Sequence, residues 1–310
     1  MNKYLSQKAI DYLLSLNNVV GIGYGLKEVK GKLTDQKAIV VMVSRKVTQT
    51  ELIRRHVVLK SIEGFVTDVI EVGKVSAHRI QEEGPIREAE DNVSRKSSWR
   101  PGPGGVSIGH YKITAGTLGV VVYDNFTGKK LILSNNHVLA NSTNGKDKRA
   151  KKGDPILQPG PLDGGTKRND KIAKLYRYVP LKDNGFNVVD AAVAKPLRQG
   201  LVVPEILGIG TVQGKTLPQL GMLVKKSGRT TGLTSGIVQV IDAIIDVDYD
   251  GRILKFKNQI MVTAFDQGGD SGSLVLNEFN WAVGLLFAGS DTFTFVNPID
   301  PVLDLLGVHL

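Results

Sequence analysis

The chain has 310 residues, enough for one large domain or two modest ones with a substantial core. It has no cysteine, which excludes a disulfide scaffold and any thiolate metal site, and no apolar run of transmembrane length. A formal net charge of +10 permits acidic partners, but the excess is divided along the chain rather than gathered in a basic tail, so no specific nucleic-acid binding is expected.

The first third has a mixed pattern. No apolar core follows a basic start, so no signal peptide is visible and a cytoplasmic location is expected. Leu5, Ala9, Tyr12, Leu13 and Leu16 recur at helical spacing over residues 3–16. Strands are predicted at 19–26, 38–44 and 64–72, with Thr48 and Glu51 forming a capping box that opens a helix through about His56. Gly21, Gly23 and Gly25 alternate, which puts all three on one face of a strand where another backbone can approach closely. No strand-loop-helix phosphate signature follows them, so nucleotide binding is not expected. Residues 1–75 thus read as a small α+β domain, either a pro-region or a permanent regulatory module.

Residues 76–105 read as a linker. Acidic and basic side chains alternate there with few apolar groups to offset the entropy of ordering, and the stretch ends in Pro101-Gly102-Pro103-Gly104-Gly105. Such segments are where proteases nick chains.

From 106 to 310 short Val, Ile and Leu runs separated by Gly, Asn, Asp and Pro dictate an all-β unit. An apolar strand, Leu131-Ile132-Leu133, leads into Ser134-Asn135-Asn136-His137, a turn suited to an imidazole acting as general base near neutral pH. His56, His78, His110 and His309 have no comparable setting. Lys146, Lys148, Arg149, Lys151 and Lys152 follow; without interleaved aromatics they read as a solvated loop, or as a lure for acidic substrates. Asp190 stands inside the apolar run 187–194, where a carboxylate needs a partner, and an imidazole would be one. Asp163, Asp170 and Asp183 are rival positions for that role.

Gly268-Gly269-Asp270-Ser271-Gly272-Ser273 packs glycines around one carboxylate and one hydroxyl ahead of an apolar strand. Such a loop can expose Ser271 as a nucleophile while aiming the N–H groups of Gly269 and Ser271 at a developing oxyanion, although the same residues also build ordinary turns. Val302, Leu303, Leu305, Leu306 and Val308 predict a terminal helix docked on the last sheet.

Taken together, the order His137, Asp190, Ser271 and the segments around them resemble the bacterial chymotrypsin-fold serine peptidases, the group that includes streptogrisins, α-lytic protease and HtrA. Ser-Asn-Asn-His-Val is similar to the His loop of HtrA peptidases, and Lys226-Ser227-Gly228-Arg229-Thr230-Thr231-Gly232 to a streptogrisin segment that begins with Arg. Ser273 departs from the family, which usually has Gly there. The resemblance implies a mainly β fold of two six-stranded antiparallel β-barrels, about 106–200 and 201–300, then the C-terminal helix. It also implies a Lys226 to Asp270 ion pair that supports the oxyanion loop without N-terminal cleavage.

By the same resemblance, Gly284 to Ser290 would pair with a substrate backbone, with Phe287 and Gly289 at the pocket and Phe265 near its floor, favouring a small or apolar residue before the scissile bond. Asp266 facing the pocket would instead select Lys or Arg. The function implied is a cofactor-free and metal-free serine endopeptidase acting on proteins or peptides, with no membrane partner. The alternatives are a catalytically silent scaffold and a peptidase acting mainly on its own linker.

Overall fold

A computed structural model describes residues 4–47, 56–77 and 93–310. The chain begins with α1 (Gln7–Leu14), β1 (Val19–Val29), β2 (Lys32–Val43), β3 (Ser61–Ile62) and β4 (Phe65–Glu71). Ser6 caps α1 by accepting from the Ala9 N–H, and the helix lays Ile10 and Leu13 over Ile22, Ile39 and Val41 of the strands. The predicted helix after Thr48 lies outside the described residues.

The next elements are β5 (Gly102–Gly104), β6 (Ser107–His110), β7 (Gly116–Thr117), β8 (Val120–Asp124), β9 (Lys130–Ser134), α2 (Asn136–Leu139), β10 (Pro155–Leu157), β11 (Lys171–Tyr178), β12 (Phe186–Asn187) and β13 (Ala192–Pro196). Strands β6, β10, β11, β13, β9 and β8 pair in that order. β7 and β8 are two parts of one run whose start pairs with β6, so the sheet returns on itself as a first barrel. Its interior holds Val106, Ile108, Ile132, Ile156, Ile172 and Ala194.

The second half comprises β14 (Val202–Ile206), β15 (Gly214–Lys215), β16 (Leu223–Gly228), β17 (Gly232–Tyr249), β18 (Arg252–Thr263), β19 (Leu274–Asn277), β20 (Trp281–Gly289) and β21 (Phe293–Pro298), then α3 (Ile299–Leu306) and β22 (Val308–His309). The order β18, β21, β20, β19, β16, β17 closes through the pairing of β17 with β18, giving a second six-stranded antiparallel barrel. The expected mainly β, two-barrel architecture is what the chain adopts. α3 packs Val302, Leu303 and Leu306 among Leu131 and Val193 of the first barrel and Leu274 and Leu285 of the second, so it fills the seam between barrels rather than covering the second alone.

Two features differ from the expected division of the chain. β1 pairs antiparallel with β17, Gly21 opposite Ile245 and Gly25 opposite Val240, so the N-terminal strands extend the sheet of the second barrel. The alternating glycines permit it: a Cβ at Gly21 would stand 2.5 Å from Ile244 O, and one at Gly23 2.3 Å from Val240 Cγ1. The described end of the expected linker is also packed. Arg95 is buried and donates to Ser227 Oγ at 2.6 Å, while β5 pairs parallel with β14. Charge and glycine content suggested solvation there; the Arg95 guanidinium is instead hydrogen-bonded inside the protein to Ser227 Oγ and Gly105 O, and Gly102 and Gly104 sit in a strand. Residues 78–92 of that stretch lie outside the described residues.

Candidate active site

His137 rides on α2, the single turn that follows β9. Its neighbours fix that turn: Ser134 Oγ donates to Thr117 O (2.8 Å), Asn135 Nδ2 to Asp190 O (2.8 Å), and Asn136 Nδ2 to Val179 O (2.7 Å). Asp190 sits just before β13 with its side chain fully buried, and its carboxylate accepts from His137 Nδ1 at 2.6 Å and from the His137 N–H at 3.1 Å. A neutral imidazole that donates from Nδ1 presents a lone pair at Nε2. His137 Nε2 and Ser271 Oγ are both buried, and neither has a hydrogen-bond partner among the described residues. A nucleophile and its base need not be hydrogen-bonded to each other before substrate arrives.

A third donor to Asp190 escaped the sequence reading. Tyr249, the last residue of β17, donates its phenol to Asp190 Oδ2 at 2.6 Å. Burial, reinforced by the adjacent carboxylate, pushes this phenol well above its ordinary pKa, so it stays a donor throughout the neutral range. Asn297 Oδ1 accepts the Asp190 N–H at 2.9 Å and is itself held by Gln259. The alternation of β17 and the length of its hairpin with β18 put Tyr249 here, and no local motif marks it.

The 268–273 loop, the candidate nucleophile loop, is shaped by hydroxyl groups. Gly269 adopts φ +97°, a region costly for other residues. Thr230 Oγ1 donates to Gly268 O (2.7 Å), Thr117 Oγ1 to Gly269 O (2.8 Å), and Ser273 Oγ to Asp270 O (2.6 Å). In a planar trans peptide the N–H points opposite to the C=O. Anchoring the Gly268 and Asp270 carbonyls therefore turns the Gly269 and Ser271 N–H groups the other way, and neither N–H has a partner among the described residues. Ser273, which departs from the family pattern, thus adds a tie to this loop.

Lys226 and Asp270 form an ion pair at 3.2 Å with both side chains fully buried. Asp270 also accepts from the Thr230 N–H (2.8 Å), the Thr231 N–H (3.1 Å), the Gln267 N–H (3.0 Å) and Thr231 Oγ1 (2.6 Å). Burial pushes this carboxyl up, but the Lys226 ammonium and these donors outweigh it and hold the group below the usual carboxylate range.

The rival aspartates are engaged elsewhere: Asp163 with Arg229, Asp170 with Thr166, and Asp183 with Asn144 and Arg252. A cleft of about 430 Å³ opens at His137, bordered by Ala77, Lys112, Ala115, Leu162 and Tyr249.

The expected pocket residues are dispersed. Phe287 is fully buried against Phe256, and Phe265 packs with Val238 and Val262 inside the second barrel, so neither side chain is a floor open to the cleft. A shift of one residue in a loop reverses which side a side chain faces, and the sequence did not fix that register. Asp266 accepts from Thr294 Oγ1, and Thr294 is the cross-strand partner of Gly289.

Solved structures of similar fold exist. Thermobifida fusca Protease A is 20% identical over 67% of this chain and 97% of its own, with a TM-score of 0.49. Nocardiopsis protease is 18% identical over 67% and 97%, with a TM-score of 0.49. Cellulomonas bogoriensis chymotrypsin is 20% identical over 67% and 97%, with a TM-score of 0.47. These neighbours are bacterial chymotrypsin-fold serine proteases, and at such identities the likeness concerns the fold alone. No protein-family model and no curated protein matches the chain.

Proposed function

We propose that the chain is a serine endopeptidase. The observation that carries this reading is a buried Asp190–His137 pair whose free Nε2 accompanies an unpartnered Ser271 hydroxyl, beside two N–H groups left without acceptors. His137 Nε2 takes the Ser271 proton as Oγ attacks the peptide carbonyl carbon. The Gly269 and Ser271 N–H groups receive the oxyanion, and Asp190 stabilises the imidazolium. The same proton passes to the leaving amine as the C–N bond breaks, and water repeats the sequence to release the acid.

The proposed preference before the scissile bond is a small or apolar residue; Phe265 and Phe287 do not line the cleft and carry no part of it. Asp266 beside Thr294 supports the rival preference for Lys or Arg, and cleavage of a peptide library decides between them. A fluorophosphonate probe tests the central reading: wild type is labelled, and Ser271→Ala and His137→Ala lose about 10⁴-fold or more in rate. Equal labelling of wild type and Ser271→Ala would sink it.

A further inference from the structure

Arg229, the residue after β16, joins the two barrels. Its Nε donates to one Asp163 oxygen at 2.8 Å and its Nη2 to the other, a fork on a carboxylate, with both side chains only 5% exposed. Asp163 ends the turn Pro161–Asp163 between β10 and β11 of the first barrel. Ser107 Oγ also donates to Asp163 and accepts the Gly160 N–H at 2.9 Å.

The same arginine reaches the candidate nucleophile loop by two routes. Its Nη1 donates to Thr230 Oγ1 at 3.0 Å, and that hydroxyl donates to Gly268 O at 2.7 Å. Its backbone N–H donates to Thr117 Oγ1 at 2.9 Å, and that hydroxyl donates to Gly269 O at 2.8 Å. Thr117 stands opposite Ser107 in the pairing of β6 with β7, so both routes are anchored on one cross-strand pair of the first barrel. Arg229 and Thr230 lie directly against the loop: a Cβ at Gly269 would stand 2.5 Å from Thr230 Oγ1 and 3.0 Å from Arg229 Nη1.

Proton counting sets the direction of the side-chain route. A guanidinium only donates, and a threonine hydroxyl has one proton. Because Thr230 Oγ1 accepts from Arg229, its own proton goes to Gly268 O. Without Nη1 the hydroxyl is free to turn elsewhere, and the 268–269 peptide, with glycine on both sides, can turn over at small cost. A turned peptide would aim the Gly268 oxygen where the Gly269 N–H should meet an oxyanion.

We propose that Arg229, held by Asp163, is a positioning residue that acts through Thr230 to fix the Gly269 N–H as an oxyanion donor. This deepens the peptidase reading and rests on it. Neither Arg229 nor Asp163 borders the His137 cleft, so the effect falls on the transition state and not on substrate binding.

The test is a double-mutant cycle on Arg229→Lys and Thr230→Val. Lysine keeps a charge for Asp163, but its single ammonium cannot fork onto the carboxylate and reach Thr230 as well. Valine keeps the branched shape without the hydroxyl. Substrates are tetrapeptide anilides ending in Ala, Phe, Arg or Glu, with fluorophosphonate labelling alongside. Arg229→Lys should lower kcat on the best anilide by about tenfold or more with KM within about twofold, and labelling should slow in step. The double variant should be no slower than Thr230→Val alone, because the arginine acts through that hydroxyl. A smaller fall, a fall carried by KM, or additive losses overturn the relay and leave the peptidase reading standing. Absence of Ser271-dependent labelling in wild type overturns both. Should Arg229→Lys fail to fold, Asp163→Asn takes its place in the same cycle, with the same outcomes.

Discussion

Asp190 collects three donors, and the one from Tyr249 makes a separable contribution. Hydrogen bonds to charged groups are worth about 1.5–3 kcal/mol, so Tyr249→Phe should slow fluorophosphonate labelling by roughly tenfold or more while circular dichroism stays native. An unchanged labelling rate would show that the phenol orients nothing. Lys226 is the sharper case. Breaking a buried pair from one side costs about 3–5 kcal/mol, so Lys226→Ala should lose that much in urea unfolding and most of its labelling rate.

The sign of the pH effect follows from Asp270. Its folded carboxyl is held below its unfolded value, so its contribution is fully present above the ordinary carboxylate range and is lost as pH falls through the folded value. Urea midpoints measured from neutral pH down to 3 should therefore fall less steeply at the acid end in Asp270→Asn than in wild type, and parallel curves would contradict this. At this scale the sequence was most informative. His137, Asp190, Ser271 and Lys226 each stand in a short segment whose composition singles the residue out, whereas Tyr249, Asn297 and Gln259 reach the candidate site from strands that look like any other apolar run.

Among elements, the nucleophile loop and the β1–β17 junction show what a local pattern can and cannot say. Glycines marked the loop, but the hydroxyls of Thr117, Thr230 and Ser273 that turn its peptides come from three places in the chain. The alternation of Gly21, Gly23 and Gly25 did forecast a close backbone, and β17 supplies it. Gly23→Val should collide with Val240 and Ala243, and overpacking typically costs about 1–3 kcal/mol, readable as a lower thermal midpoint with an altered exchange pattern across β1. The stretch 93–105 was misread because composition counts charges without their partners: Arg95 looks solvated in the sequence and is buried against Ser227 in the fold.

Over the whole molecule, charge and attachment matter more than any single contact. A basic cavity of about 620 Å³, bordered by Lys112, Lys146, Lys148, Lys151 and Lys152, adjoins the His137 cleft through Lys112, which lines both. Peptides acidic beyond the scissile bond should lose kcat/KM on raising salt from about 0.05 to 0.5 M while neutral ones hold, because screening shortens the reach of those lysines.

The pairing of β1 with β17 has a different consequence, for what a cut would mean. Were the backbone severed between Ala77 and Val93, the amino-terminal fragment would still share a sheet and a buried apolar face with the rest. The nicked protein would migrate as two bands on a denaturing gel and as one particle in gel filtration. Proteolysis and departure would then be separate events, the second governed by dissociation of a non-covalent heterodimer.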